Sequence, residues 1–296
     1  MPVVSILTPT YERIQFLPLL MLMIEAQNMD LGTVEWIVVD DSTHPSHTLF
    51  ETSILHTKLK RLVYVHLPHK KPIGCKRNLA KTLADGQFMV HMDDDDYYAP
   101  NYVSTVLAMF HSEEKPELIG ATQIYLMYPS SLHLQCIGPV HNRHTCGGAM
   151  SFTNAYAQTH HYRNHATYAE EAYFVDNNPV MQIQNMFNIN MVFVHERNTV
   201  AKDRLQRRQA KVRWIDVIQH PIVLLFYLSL HVDKLDLHTE FHTLTYERNT
   251  RTAYGNAFLV LTLIQSLQNI LKTLYVRMYR RLPRSIGIAP ASEMVV

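Results

Sequence analysis

Short β-rich runs alternate with helical patterns through the first hundred residues of this chain, and that alternation restricts it to architectures built on a parallel sheet. Residues 3–7, 35–39, 62–66 and 88–92 have the apolar content of buried strands, whereas residues 17–26 and 75–83 repeat their apolar positions at helical spacing. Strands that alternate with helices predict an α/β fold with a mostly parallel, doubly wound sheet. Ligands of such sheets bind beyond the carboxyl ends of the strands. Three of the predicted strands end there in polar clusters: Thr8-Pro9-Thr10-Tyr11-Glu12-Arg13, Asp40-Asp41-Ser42, and the four aspartates Asp93, Asp94, Asp95 and Asp96.

The aspartates pose an electrostatic problem. Like charges crowded behind an apolar strand are costly unless a cation or a proton compensates them. A helix-capping turn accounts for one or two acids at such a place, but not for four. Asp93 and Asp95, one residue apart in an extended turn, can aim at a single ion. Carboxylate oxygens suit Mg²⁺ or Mn²⁺, which are commonly shared between one or two acids and the phosphates of a ligand.

The remaining composition narrows the options. With only 9 Gly the 296-residue chain contains neither a G-x-G-x-x-G nor a Walker pattern, so a phosphate-bearing ligand needs a metal ion and basic side chains instead. A net charge of +1 points to no nucleic-acid partner. The three cysteines, Cys75, Cys136 and Cys146, are too few for a disulfide framework, and the first residues lack the basic region of a secretory signal, so a cytoplasmic location is expected.

Residues 118–125 and 191–195 read as further strands. From Ala201 onward the pattern reads helical, which predicts a domain over residues 1–200 and a helical C-terminal extension over 201–296. In that extension Val260, Leu263, Ile264, Leu267, Leu271, Leu274 and Met278 recur at helical intervals. Their stripe suits a helix packed on protein better than a transmembrane span. The basic residues Arg277, Arg280, Arg281 and Arg284 suit peripheral contact with a membrane surface. His133, Cys136, His141, His144 and Cys146 lie close in sequence, but their spacing fits no regular zinc module.

The stretches "VSILTPTYER", "EWIVVDDS", "IGCKRNLAKTLADGQFMVHMDDDDYYAP" and "YAEEAYF" together resemble, in order, the motifs of family 2 glycosyltransferases of the GT-A fold. The resemblance covers about the first two hundred residues and implies a nucleotide-sugar site. It assigns Pro9 and Tyr11 to packing of the base, Asp41 to the base edge, and Arg77 to the nucleotide's charged groups. Lys76, Lys70 and Lys71 read instead as a solvated basic face. By the same resemblance Asp93 and Asp95 form the DXD-type metal motif, Asp94 reaches the ribose or donor sugar, and His195 completes the metal shell. Glu171, favoured over Glu170, is the general base, and Gly147-Gly148 lets an acceptor approach the backbone.

The implied activity is inverting transfer of a hexosyl group from a nucleotide sugar, with UDP-sugar expected, to a hydroxyl of a glycan, protein or lipid-linked acceptor, assisted by Mn²⁺ or Mg²⁺. Two other functions compete: a nucleotidyltransferase of related fold, which "TPTYER" does not suit, and a non-catalytic relative that binds a nucleotide sugar or a partner.

Overall fold

The structure, a computed structural model, describes residues 1–196, 198 and 207–231. A first compact unit runs Met1–Val223 and a second Leu224–Val296. The first hundred residues follow the expected alternation: β1 (Val4–Thr10), α1 (Leu17–Glu25), β2 (Val34–Asp40), α2 (His47–Glu51), α3 (Leu55–Lys58), β3 (Arg61–His66), α4 (Ile73–Leu83) and β4 (Phe88–His91). β1, β2 and β4 are buried along their whole length, as strands covered on both faces must be. β1 pairs in parallel with both β2 and β4, and β2 with β3.

Three shorter strands extend this sheet. β9 (Ser151–Thr153) lies antiparallel between β4 and β6 (Leu118–Gly120), and β10 (Met181–Gln182) pairs in parallel with β6. The order is β10-β6-β9-β4-β1-β2-β3, mostly parallel as expected. One face packs Leu7, Ile37, Val39 and Met89 against Phe152 and Phe174, each such burial being worth about 1.5–3 kcal/mol. Trp36, from β2, packs instead on Phe50 of α2, with ring centroids 5.4 Å apart.

A second sheet has the order β12-β8-β7-β11-β5, from β5 (Tyr97–Tyr98), β7 (Ile124–Met127), β8 (His133–Ile137), β11 (Asn190–Phe193) and β12 (Arg208–Arg213). The remaining helices are α5 (Tyr102–Phe110), α6 (Asn154–Thr159), α7 (Glu171–Val175) and α8 (Pro221–His231). Two sequence expectations change here. Residues 118–125 are not one strand but two, β6 and β7, in different sheets. The backbone of Ala121 between them is taken by residues 145–146, through a 3.0 Å bond from its N–H to Thr145 Oγ1 and a 2.8 Å bond from Cys146 N–H to its carbonyl. Residues 208–213, expected to be helical, form β12 antiparallel to β8, with Arg208 opposite Cys136. The amphipathic stripe of residues 260–278 and its basic tail lie outside the described residues. Among the described residues no helix is long and apolar enough to cross a membrane.

Candidate active site

A cleft of about 170 Å³ opens at the carboxyl ends of β1 and β4, where the topology requires a ligand site. Pro9 and Arg13 come from the end of β1, Arg77 from α4, the aspartates from the end of β4, and Glu170 and Glu171 from the start of α7. Among the described residues, six carboxylates (Asp93, Asp94, Asp95, Asp96, Glu170 and Glu171) and two guanidinium groups (Arg13 and Arg77) therefore line one small space.

The strand ends are tied together before any ligand arrives. Thr8 Oγ1 donates to the carbonyl of Met92 at 2.7 Å, and Thr10 Oγ1 donates to Asp94 Oδ2 at 2.6 Å. Arg13 Nη1 lies 2.9 Å from Asp94 Oδ1 and 3.0 Å from Asp95 Oδ2. His195 Nε2 is 2.8 Å from that same Asp95 oxygen, and Asn198 donates to it at 3.3 Å. The Phe193 N–H donates to Asp96 Oδ1 at 3.2 Å. Burial pushes Asp94 up to about 7 against the pull of Arg13. For Asp95 burial acts the same way but is outweighed by His195 and Arg13, so its carboxyl is held below the ordinary value.

Arg77 is buried and spans two carboxylates. Its Nε donates to Glu170 Oε1 at 2.7 Å, while Nη2 lies 3.1 Å from Asp93 Oδ1 and 3.2 Å from Oδ2. Arg77, expected to face a nucleotide's charged groups, lines the cleft and is paired there with protein carboxylates. His91, from β4, lies beside it, with Nδ1 3.1 Å from Arg77 Nη1. The imidazole Nδ1–H donates to the carbonyl of Gly147 at 2.7 Å, and the Tyr162 hydroxyl, 3.3 Å away, donates to Nε2. Burial and the neighbouring Arg77 hold His91 well below its ordinary pKa, so the ring is neutral. Tyr98 closes the arrangement, its hydroxyl accepting from the Asp93 N–H at 2.7 Å and donating to the Gly148 carbonyl at 2.8 Å.

Gly147 and Gly148 are small for a reason that the sequence did not reveal. A Cβ on Gly148 would stand 2.9 Å from Asp93 Oδ2 and 3.1 Å from Asp96 Oδ2, and one on Gly147 would stand 3.2 Å from Glu170 Oε1. The glycines make room for carboxylates. Glu170 is buried on Arg77, whereas Glu171, in the first turn of α7, is only partly buried on the wall of the cleft.

The other cluster of expected site residues lies outside the lining of this cleft. Asp41 is buried, its Oδ1 2.6 Å from Lys76 Nζ and its Oδ2 accepting from the Lys71 N–H at 2.6 Å. Lys76 also donates to the carbonyl of Thr10 at 2.9 Å. The reading of Lys76 as part of a solvated face is thus corrected: residues 76, 77, 80 and 81 share the buried side of α4, and three of them are cations. Burial lowers the Lys76 pKa, with Asp41 opposing. Lys70 Nζ stands 4.1 Å from the centroid of the Tyr11 ring.

The acidic run is suited to a cation. Asp93 Oδ1 is buried with no hydrogen bond of good geometry, the Arg77 guanidinium 3.1 Å away being its charged neighbour, and burial, opposed by Arg77, raises the Asp93 pKa. Among the described residues no three His, Cys, Asp or Glu side chains form a ready-made ligand set, the histidines and cysteines of residues 133–146 included. One or two carboxylates with ligand oxygens is the arrangement that Mg²⁺ and Mn²⁺ adopt on phosphates, and Asp93 and Asp95, with His195 on Asp95, provide donors of that kind. His91, Arg13, Lys76 and Tyr98 are the site residues that sequence reasoning missed. A histidine inside the fully apolar run "FMVHM" was the one available signal for His91.

Residues 5–131 match the family described as Glycosyl transferase family 2. Over 107 residues the chain is 31 % identical to the putative colanic acid biosynthesis glycosyl transferase WcaA of Escherichia coli (strain K12), a match covering 36 % of this chain and 37 % of that protein. The match thus spans little more than a third of that relative. Among solved structures, S. aureus TarS 1–349 in complex with UDP-GlcNAc superposes with a TM-score of 0.54 at 17 % identity, over 78 % of this chain and 72 % of that one. The mannosyltransferase PcManGT from Pyrobaculum calidifontis, in complex with GDP-Man and Mn²⁺, gives 0.50 at 11 % identity, over 95 % and 87 %. At these identities the likeness is one of fold.

Proposed function

Residues 5–131 belong to glycosyl transferase family 2 in a GT-A fold, and from that premise we propose that the protein is a metal-dependent, inverting glycosyltransferase. It moves a sugar from a nucleotide sugar, with a UDP-sugar as the expected donor, to an acceptor hydroxyl. The observation that carries this proposal is the run Asp93–Asp96 at the carboxyl end of β4, which together with Glu170 and Glu171 gives the cleft an acidic lining among the described residues. A nucleotide diphosphate brought alone to such a surface would be repelled. A divalent cation bound there would supply the missing positive charge and stabilise charge on the leaving diphosphate. The complexes of TarS with UDP-GlcNAc and of PcManGT with GDP-Man and Mn²⁺ support a nucleotide-sugar site on this fold.

Asp93 and Asp95 would hold the ion, with His195 as the third donor. Pro9 and Tyr11 pack the base, and Asp41, oriented by Lys76, accepts from the base edge. Asp94, fixed by Thr10 and Arg13, serves the ribose or donor sugar. Arg77 acts through Asp93 and Glu170, whose orientations it sets. Glu170 pairs with Arg77, and Glu171, on the wall of the cleft, takes the proton from the acceptor hydroxyl.

The test is release of UDP from a panel of nucleotide sugars, with Mn²⁺ and with EDTA. Turnover of a UDP-sugar is expected to need the metal and to be lost in Asp95→Asn and Glu171→Gln. Turnover that survives EDTA, or that both variants retain, would contradict the mechanism.

A further inference from the structure

A second groove, of about 580 Å³, adjoins the acidic cleft and shares Tyr168, Ala169 and Glu170 with it. Its wall is the segment that leads into α7, and it carries two rings that the fold leaves in the open. Tyr168 is 68 % exposed and Tyr173 50 %, whereas Tyr97, Tyr98, Tyr102, Tyr156 and Tyr162 are each 3 % exposed or less. Large exposed rings beside a cleft mark a contact surface more often than scattered single ones do.

The wall is held in shape. Asn78 of α4 donates to the carbonyl of Tyr162 and to Asn164 Oδ1, both at 2.7 Å, and accepts from the Tyr162 N–H at 2.9 Å. Gly74, on the same helix, donates its N–H to the carbonyl of Ala166 at 3.1 Å, and a Cβ there would fall 2.1 Å from the carbonyl of Arg163. Between Tyr168 and Glu170 the backbone of Ala169 is left-handed, at φ 49°, a strained state for a residue with a Cβ. The loop therefore presents Tyr168 and Glu170 from a fixed backbone, which lowers the ordering cost of binding.

We infer that this groove is the acceptor site and that its occupant is a neutral carbohydrate, with the apolar face of a pyranose ring on Tyr168 and the exposed part of Tyr173 and one hydroxyl reaching past Glu170 into the adjoining cleft, which Glu171 lines. The assignment rests on the glycosyltransferase function proposed above and adds the class of acceptor. Tyrosine presents an apolar face with a polar tip, which matches a ring of C–H groups edged by hydroxyls. Arg163, His165 and Thr167 supply hydrogen-bonding groups around it. A lipid chain would find little cover, because the lining contains no Leu, Ile, Val, Met or Phe. An anionic acceptor would meet Glu170 in the groove and Glu171 in the adjoining cleft, and the Arg163 guanidinium is already laid over Tyr173, 4.3 Å from its centroid.

Saturation-transfer NMR on the full chain, with UDP and Mn²⁺ present, tests this. The probes are maltose, cellobiose, lactose and N,N′-diacetylchitobiose, with glycerol 3-phosphate and a Ser/Thr peptide as the rival arms. At least one disaccharide is expected to receive saturation concentrated on the C–H protons of one ring face. The signal should fall by about tenfold in Tyr168→Ala/Tyr173→Ala and persist in Tyr168→Phe/Tyr173→Phe, where the rings remain. Both positions are exposed, so unchanged thermal melting of the Ala variant establishes that it folds. Saturation of glycerol phosphate or the peptide in place of every disaccharide overturns the assignment. So does a disaccharide signal unchanged in the Ala variant, or no disaccharide signal at all. Calorimetry with UDP and Mn²⁺ on the same samples separates the two levels. Failure of the wild-type chain to bind UDP removes the glycosyltransferase proposal itself, whereas UDP bound with disaccharides ignored removes the acceptor assignment alone.

Discussion

Lys76 and Arg77 are consecutive on α4, both buried, and they meet their carboxylates in opposite ways. Lys76 closes one account, with Asp41, and the second oxygen of Asp41 is taken by the Lys71 N–H. Arg77 is divided between Asp93 and Glu170, and Asp93 Oδ1 still has no hydrogen bond of good geometry. Among the described residues, Asp41 has a cation to itself, whereas Asp93 shares its cation with Glu170. The difference supports the cation proposed for the Arg77 side of the helix.

Arg77→Met should have the largest effect on folding, about 3 to 4 kcal/mol in urea unfolding, because buried Glu170 and partly buried Asp93 lose their shared partner. A loss below about 1 kcal/mol, the size of an exposed ion pair, would erase the contrast. Lys76→Met should cost about 3 kcal/mol, and adding Asp41→Asn should restore most of it, as a one-to-one pair requires. Adding Asp93→Asn to Arg77→Met should restore much less, since Glu170 remains buried without its cation; equal rescue in the two cycles would show both regions to be simple pairs.

Gly148→Ala should cost about 2 kcal/mol by forcing Asp93 and Asp96 away from the new methyl group. Wild-type melting in that variant would mean that the carboxylates can shift freely. Lys70→Ala should matter least. Its ammonium lies over Tyr11 at 4.1 Å, a contact worth about 0.5 kcal/mol at an accessible site; a loss of UDP affinity beyond about threefold would place Lys70 in the site after all.

The sheet was readable because β1, β2 and β4 are buried on both faces, which forces continuous apolar runs, and because their carboxyl ends carry the polar residues. The acidic run was readable for the same reason, as charge where only apolar residues were otherwise spaced. The inward face of α4 was not. Lys76, Arg77 and Lys81 follow the pattern of a solvated basic helix, and only tertiary partners, Asp41, Asp93, Glu170 and the carbonyls of Ala157 and His160, turn that face inward. β12 was lost similarly, since its alternation of Arg, Gln and Lys with smaller apolar residues gains meaning only against β8. The role of Gly147 and Gly148 depends on carboxylates some fifty and some twenty residues away in sequence, which no local pattern encodes.

The central claim, that the cleft around Asp93 and Asp95 takes a divalent cation together with a diphosphate, is tested most directly by calorimetric titration of UDP into the full chain with Mn²⁺ and with EDTA. UDP is expected to bind at least about tenfold more tightly with Mn²⁺, and Asp95→Asn should abolish that gain while leaving the protein folded. Equal affinity in Mn²⁺ and EDTA, or a Mn²⁺-dependent gain that Asp95→Asn retains in full, would contradict the account.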